Sequence, residues 1–179
     1  MIDIFAEDSF IVIKPLDERK LGDAVLIYNC GSDTRYATGV EGSLSIRELS
    51  SLLKRIKACD NEFIAGVFSK APDTGAENAL RFVGICSGLM NAGALWIKQL
   101  SILPEYRRRG IGARTAEMLF EYAVRSHNVH EVFLSVAEKN AAGLCFWRKL
   151  GFCEAHRVEK VLFDEKLPIN VIILQKKLT

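Results

Sequence analysis

The chain has 179 residues, 49% of them hydrophobic, and a mean hydropathy of +0.12, which excludes wholesale disorder and suits one domain spanning 1–179. Its 24 Lys and Arg against 22 Asp and Glu leave +2, too little to attract nucleic acid or an anionic membrane, so any basic role must be local. No apolar run approaches the ~20 residues that span a bilayer. Acidic residues stand near the N-terminus where a secretory leader would be basic, and the five cysteines show no C-x-x-C spacing; a cytoplasmic protein with buried, unpaired thiols and no metal site is expected.

In chain order, Phe10 to Lys14 reads as a strand closed by Pro15, and Asp17 to Tyr28 as a helix with Leu21, Val25 and Tyr28 on one face. Gly31 to Gly42 is a polar loop. Ser45 with Glu48 makes a capping box for a helix from Ile46 to about Ala58, which buries Leu49, Leu52, Leu53 and Ile56. Glu62 to Ser69 is a strand, and Lys70 to Asn78 a connection. Leu80 to Met90 and Ala94 to Leu103 are strands joined by an Asn-Ala-Gly turn. A helix runs from Ile111 to about Ser126, then a strand from Glu131 to Ala137 puts Val132, Leu134 and Val136 on one face. Asn140 caps a helix that ends at Gly151, a left-handed C-cap residue. Cys153 to Phe163 and Ile169 to Lys176 pair around a Pro168 loop.

The junction after the Ala94 strand carries the chemistry. It reads Leu100-Ser-Ile-Leu-Pro-Glu-Tyr-Arg107-Arg-Arg-Gly110-Ile-Gly112. The first N–H groups of a helix lack intrahelical partners and sit at the positive end of its dipole. Gly110 and Gly112 let a ligand come close, and Arg107, Arg108 and Arg109 add charge, so a pyrophosphate is the expected occupant. The spacing is neither a Walker A loop nor a dinucleotide fingerprint. Nucleic-acid binding would want interleaved basic and aromatic residues, which are missing here.

Arg107-x-x-Gly110-x-Gly112 resembles the Arg/Gln-x-x-Gly-x-Gly/Ala signature of the GNAT N-acetyltransferases. Asn140-Ala-Ala-Gly143-Leu-Cys-Phe-Trp147-Arg-Lys-Leu150-Gly151-Phe152 resembles that family's second landmark. The resemblance covers roughly Trp96 to Phe152 at the level of motifs and is only topological over the N-terminal half. It implies an α/β (α+β) acyl-CoA N-acyltransferase fold, with a mixed sheet of about seven strands and about four helices. It also implies transfer of an acetyl group from acetyl-CoA to a primary amine of a small molecule or peptide. By the same resemblance the pantetheine arm lies along Leu100, Ser101 and Ile102, with the Leu100 N–H facing the thioester carbonyl. Main-chain donors from Arg108 through Arg109, Gly110, Ile111 and Gly112 to Ala113 meet the pyrophosphate, and Asn140 meets the pantetheine portion or simply caps its helix.

The proton-handling positions depart from the family's pattern. Trp147 stands where many members carry a Tyr acid, and Trp96 where some carry a Glu base; indole supplies neither function. Lys98 is a poor base unless desolvated. Catalysis then rests on approximation and oxyanion stabilisation with a weakly basic amine, or on a base from Glu62, Glu77 or Glu138 across the cleft. The alternative is a catalytically silent acyl-CoA sensor or interaction module of the same fold. Both tryptophans also fit ordinary core packing. By the same resemblance the candidate acceptor contacts are Arg35, Tyr36, Glu41 and Asp164 to Lys166, and an exposed C-terminal strand edge leaves a homodimer open.

Overall fold

The computed structural model describes residues 1–30, 43–70, 80–164 and 167–178. Among them stand eight strands and four α-helices. They are β1 (Ala6–Glu7), β2 (Ile11–Pro15), α1 (Leu21–Asn29), α2 (Ile46–Lys57), β3 (Glu62–Lys70), β4 (Leu80–Asn91), β5 (Ala94–Ile102), α3 (Ile111–His127), β6 (Glu131–Ala137), α4 (Ala141–Lys149), β7 (Cys153–Asp164) and β8 (Leu167–Lys177). One sheet in the order β1-β2-β3-β4-β5-β6-β8-β7 holds every strand.

Most expected elements form where the pattern puts them. Ser45 accepts from the Glu48 N–H while Glu48 reaches back, completing the capping box of α2. Ala92 and Gly93 both take positive φ (49° and 78°), the two-residue turn whose twist suits a hairpin. Gly151 is left-handed (φ 86°) after α4, as its position at the helix end requires.

Three details differ. β1 escapes sequence reading because two residues show no alternation; the Asp8 carboxylate fixes its turn by accepting from the Phe10 and Ile11 N–H groups. The helix expected from Asp17 begins as a 3-10 turn, with α1 proper starting at Leu21. Pro168 lies inside β8 opposite Phe163 instead of in a loop. The cysteines divide as well: Cys86 is buried, its thiol pushed up to about 12 by desolvation, while Cys145 and Cys153 are exposed.

Two cores flank the sheet. On one face α1 and α2 lay Leu21, Ala24, Ile27, Leu49, Leu53 and Ile56 against Ile64, Phe68, Phe82 and Ile85. On the other, α3 and α4 lay Ala116, Leu119, Phe120, Ala123, Leu144 and Trp147 against Phe63, Val67, Leu95, Ile97, Val132 and Leu134.

The feature that positions the site is an irregularity of β5. Ser87 pairs with Gln99 and Gly88 with Ile97, so Lys98 is an extra residue, a β-bulge. The bulge shifts the parity of the strand: Leu95 and Ile97, then Leu100 and Ile102, face the α3/α4 core. Gly88 must be glycine here, because a Cβ would lie 2.4 Å from the Trp96 carbonyl oxygen. β5 and β6, the parallel pair, are hydrogen-bonded from Ala94↔Glu131 to Ile97↔Leu134. Beyond that point β6 continues against β8 as far as Ala137↔Val171 and β5 continues against β4. The two strands part at the bulge and leave a gap.

The N-terminal turn is tied to α3. Asp8 accepts from Arg114 Nε at 2.6 Å. Burial works to raise its carboxyl pKa, but Arg114 and the two backbone donors outweigh that and hold it below the usual value. A depressed folded pKa stabilises the native state above the unfolded value of ~3.9, and that contribution is lost as pH falls through the folded one. Asp8→Asn should therefore lower Tm at pH 7, at roughly 2–4 °C per kcal/mol for a chain this long. Melting temperatures of variant and parent should converge as pH falls below the ordinary carboxylate range and through the folded value; a constant offset would refute the linkage.

Candidate active site

The peptide directions along the gap follow from the ladders. The Leu103 N–H donates to the Val83 carbonyl, so in this antiparallel pair Ser101 also turns its peptide groups toward β4, while Leu100 and Ile102 turn theirs into the gap. Across it, the Glu138 N–H donates to the Asn170 carbonyl, so by the same alternation Ser135 and Ala137 face the gap from β6. Two cleft-facing carbonyls are engaged: Ile102 accepts from Arg107 Nε at 2.8 Å, and Ala137 from the Asn140 N–H at 2.9 Å.

α3 begins at the open end of this gap. Arg108 (φ 59°) and Gly110 (φ 80°) are left-handed, which turns the chain so that successive N–H groups converge on one concavity. The first α-helical bond runs from the Arg114 N–H to the Gly110 carbonyl, so Ile111, Gly112 and Ala113 donate to nothing within the helix. A Cβ on Gly110 would meet nothing within 4 Å, and one on Gly112 would only touch Phe146 and Ile102 at 3.6 and 3.7 Å. Glycine is needed at Gly110 for its φ. The three arginines diverge: Arg107 is bound back to β5, Arg109 lies over the Tyr106 ring at 5.6 Å, and Arg108 is exposed.

Asn140 is the N-cap of α4, its Oδ1 accepting from the Gly143 N–H at 2.8 Å, which leaves the Nδ2 as a donor. A Cβ on Gly143 would sit 2.7 Å from that amide nitrogen, so the glycine makes room for the cap. Trp147 is a core residue, buried edge-on against Phe146 and Phe152 with centroids 4.8 and 5.2 Å away. Trp96 is half-buried and stacks on Phe133 at 5.9 Å and 17°, bracing β5 against β6 just before they part.

The candidate bases are engaged or lie elsewhere. Glu138 accepts from Arg157 and from Asn170 Nδ2. Glu62 accepts from Lys98 Nζ at 2.7 Å, with Arg55 at 3.7 Å. Glu77, Arg35, Tyr36, Glu41 and the segment 165–166 lie outside the described residues; Asp164 ends β7.

A cluster that pattern reading missed occupies the α1/α2 face beside the bulge. Ser87, Gln99 and Ser101 are buried there; Gln99 Nε2 donates to Ser101 Oγ at 3.2 Å. The Tyr28 phenol, hydrogen-bonded with Ser87, is pushed up by burial. The signal was present as broken alternation between Ile97 and Leu100, but a bulge moves two neighbours to one face only once its partner strand is known.

The site thus lies in a mixed sheet whose central parallel strands part beside a glycine-turned helix N-terminus. A sequence model of the Acetyltransferase (GNAT) family matches residues 46–152, more than half of the chain. The chain belongs to that family. It is 32% identical over 88 residues to the probable N-acetyltransferase san of Drosophila melanogaster, covering 49% of this chain and 47% of that one. It is 33% identical over 54 residues to spermidine N(1)-acetyltransferase of Escherichia coli K12, covering 30% and 29%. The match thus spans about half the length, or less, of these curated relatives. The spermidine N-acetyltransferase of Vibrio cholerae, solved in complex with CoA and spermine, superposes with a TM-score of 0.77 at 18% identity over 95% of this chain and 96% of that one, a likeness of fold. The mixed architecture expected from the motifs is therefore borne out, with one strand more than expected. Among the described residues no helix is long and apolar enough to cross a membrane.

Trp147→Phe should fold and lose on the order of 1–2 kcal/mol of stability through reduced packing. A denaturant melt checks this; an unchanged midpoint would mean the indole is not part of the core.

Proposed function

We propose that this chain is an N-acetyltransferase that moves an acetyl group from acetyl-CoA to a primary amine by direct attack in a ternary complex. The observation that carries the reading is the gap between β5 and β6, with cleft-facing peptide groups at Leu100 and Ile102, opening onto the unpaired N–H groups at the start of α3. An extended amide-bearing arm bonds to such a strand edge as a further strand would, and a pyrophosphate suits the helix N-terminus.

The donors from Arg108 to Ala113 hold the pyrophosphate. The arm follows Leu100, Ser101 and Ile102 toward the bulge, and the Asn140 amide donates to it from the far side. The Leu100 N–H then meets the thioester carbonyl and stabilises its developing oxyanion. The amine lone pair attacks the carbonyl carbon, the C–S bond breaks, and the thiolate leaves with the electron pair. The proton shed by nitrogen ends on sulfur or in water.

Trp96 and Trp147 take no part in that proton transfer, and the Glu62 and Glu138 carboxylates are held in ion pairs. A thiolate of pKa ~8.5 leaves without an acid near neutral pH, and an α-amine of pKa ~8 is already partly neutral. A lysine-like amine, at ~10.4, is neutral in fewer than one molecule in a thousand at pH 7 and would need a base. The reading therefore favours α-amines or other weakly basic acceptors.

Acetyl-CoA should raise the Tm of the chain saturably, and thiol should be released when a suitable amine is added. Gly110→Trp, which puts a bulky side chain into the space beside the helix N-terminus, should abolish both. No rise at millimolar acetyl-CoA would overturn the reading. A rise without thiol release from any amine class would favour the silent acyl-CoA sensor.

A further inference from the structure

Among the described residues five polar or charged residues are buried. Four of them, Glu62, Ser87, Gln99 and Ser101, stand on the α1/α2 face of β3–β5; the fifth, Thr115, donates to the Ile111 carbonyl within α3. Glu62, level with Trp96 across β4 Leu89, stands at the closed end of the gap, while Ser87 with Gln99, and then Ser101, follow along the opened part on either side of Leu100. An acceptor attacking a thioester held near Leu100 from the face opposite α3 and α4 would meet this cluster.

Its charge is one-sided. Glu62, whose side chain is 12% exposed, is faced by two cations, Lys98 at 2.7 Å and Arg55 at 3.7 Å. The Lys98 and Arg55 side chains are 38% and 59% exposed, so both heads keep hydrogen-bonding capacity beyond Glu62. Alternation from Ile97 puts Lys98 on the α1/α2 face, and the bulge brings Gln99 to the same face directly beside it. The other polar groups of the cluster, Tyr28, Ser87, Gln99 and Ser101, are neutral. Among the described residues, one carboxylate between two cations leaves this cluster net positive.

We infer that the acceptor is an amine carrying its own carboxylate, a free amino acid in chemical class, with Lys98 and Arg55 holding the carboxylate while the α-amine faces the thioester. This rests on the N-acetyltransferase reading and narrows its substrate. A polyamine brings a second ammonium into a site where the one buried carboxylate among the described residues is already paired; like charges there oppose binding. A fixed ammonium near the acceptor also disfavours the protonated amine and so raises the neutral, nucleophilic fraction. That supplies part of what a general base would do.

The test is thiol release from acetyl-CoA with the common L-amino acids, each compared with its own amide, and with spermidine. At least one free acid should exceed both its amide and spermidine by about tenfold in kcat/KM. Lys98→Gln and Arg55→Gln should each shrink that ratio by about fivefold through KM for the acid, with KM for acetyl-CoA unmoved. Lys98→Gln leaves buried Glu62 with only the longer Arg55 contact at 3.7 Å and endangers folding; Arg55→Gln, at a more exposed side chain, then carries the test. Preference for an amide or for spermidine, no amino acid acetylated, or a ratio unchanged in the folded variants overturns the inference. An acetyl-CoA-dependent rise in Tm alongside any of these leaves the acetyltransferase reading standing; its absence removes both.

Discussion

Two parallel strands at the centre of a sheet should pair along their whole length, because an unbonded peptide group away from water is costly. β5 and β6 pair for four residues and then part. The cause is the extra residue Lys98, which bends β5 away while β4 keeps its grip on the other side. Most of the chemistry depends on this separation. It leaves Leu100 with cleft-facing peptide groups and lets the Asn140 cap approach from β6. At Ile102 the carbonyl is partly compensated by Arg107, so the same arginine run that makes the loop basic also anchors it to the strand it follows.

The helices hold the gap open instead of closing it. α3 and α4 pack on one face through Leu119, Ala123, Leu144 and Trp147, and Arg114 binds the first turn of α3 to the N-terminal turn through Asp8. On the other face α1 and α2 cover β3 and β4 with their own apolar set. Hydrophobic burial on both sides outweighs the unbonded edge, and the Trp96–Phe133 stack marks where pairing stops. Among the described strands the pairing of the sheet's interior is interrupted where β5 leaves β6.

The Glu62–Lys98 pair belongs to the same arrangement. A buried carboxylate without a partner would be strongly destabilising, and Lys98 reaches it from the bulge, on the α1/α2 face that alternation from Ile97 already gives it. Gly88, opposite, can carry no side chain without striking the Trp96 carbonyl. Strand irregularity, glycine and ion pair are one local solution, and the neutral polar groups of Tyr28, Ser87, Gln99 and Ser101 fill in around it.

Much of this was written in the linear pattern. The capping box at Ser45 and Glu48, the Ala92–Gly93 turn, the left-handed Gly151 and the alternation of β6 rest on interactions within a few residues, which local sequence specifies directly. The family landmarks around Gly110 and Asn140 are local for the same reason: a helix N-terminus and its cap are short-range devices. Trp147 was ambiguous along the chain, because the same indole serves as packing or as a cleft wall, and only its contacts with Phe146 and Phe152 decide for packing. The parting of β5 from β6, the union of Glu62, Lys98 and Arg55, and the meeting of Tyr28 with Ser87 join residues far apart in the chain. Their existence depends on register between strands and on which face a bulge selects, and those are properties of partners that no single segment contains.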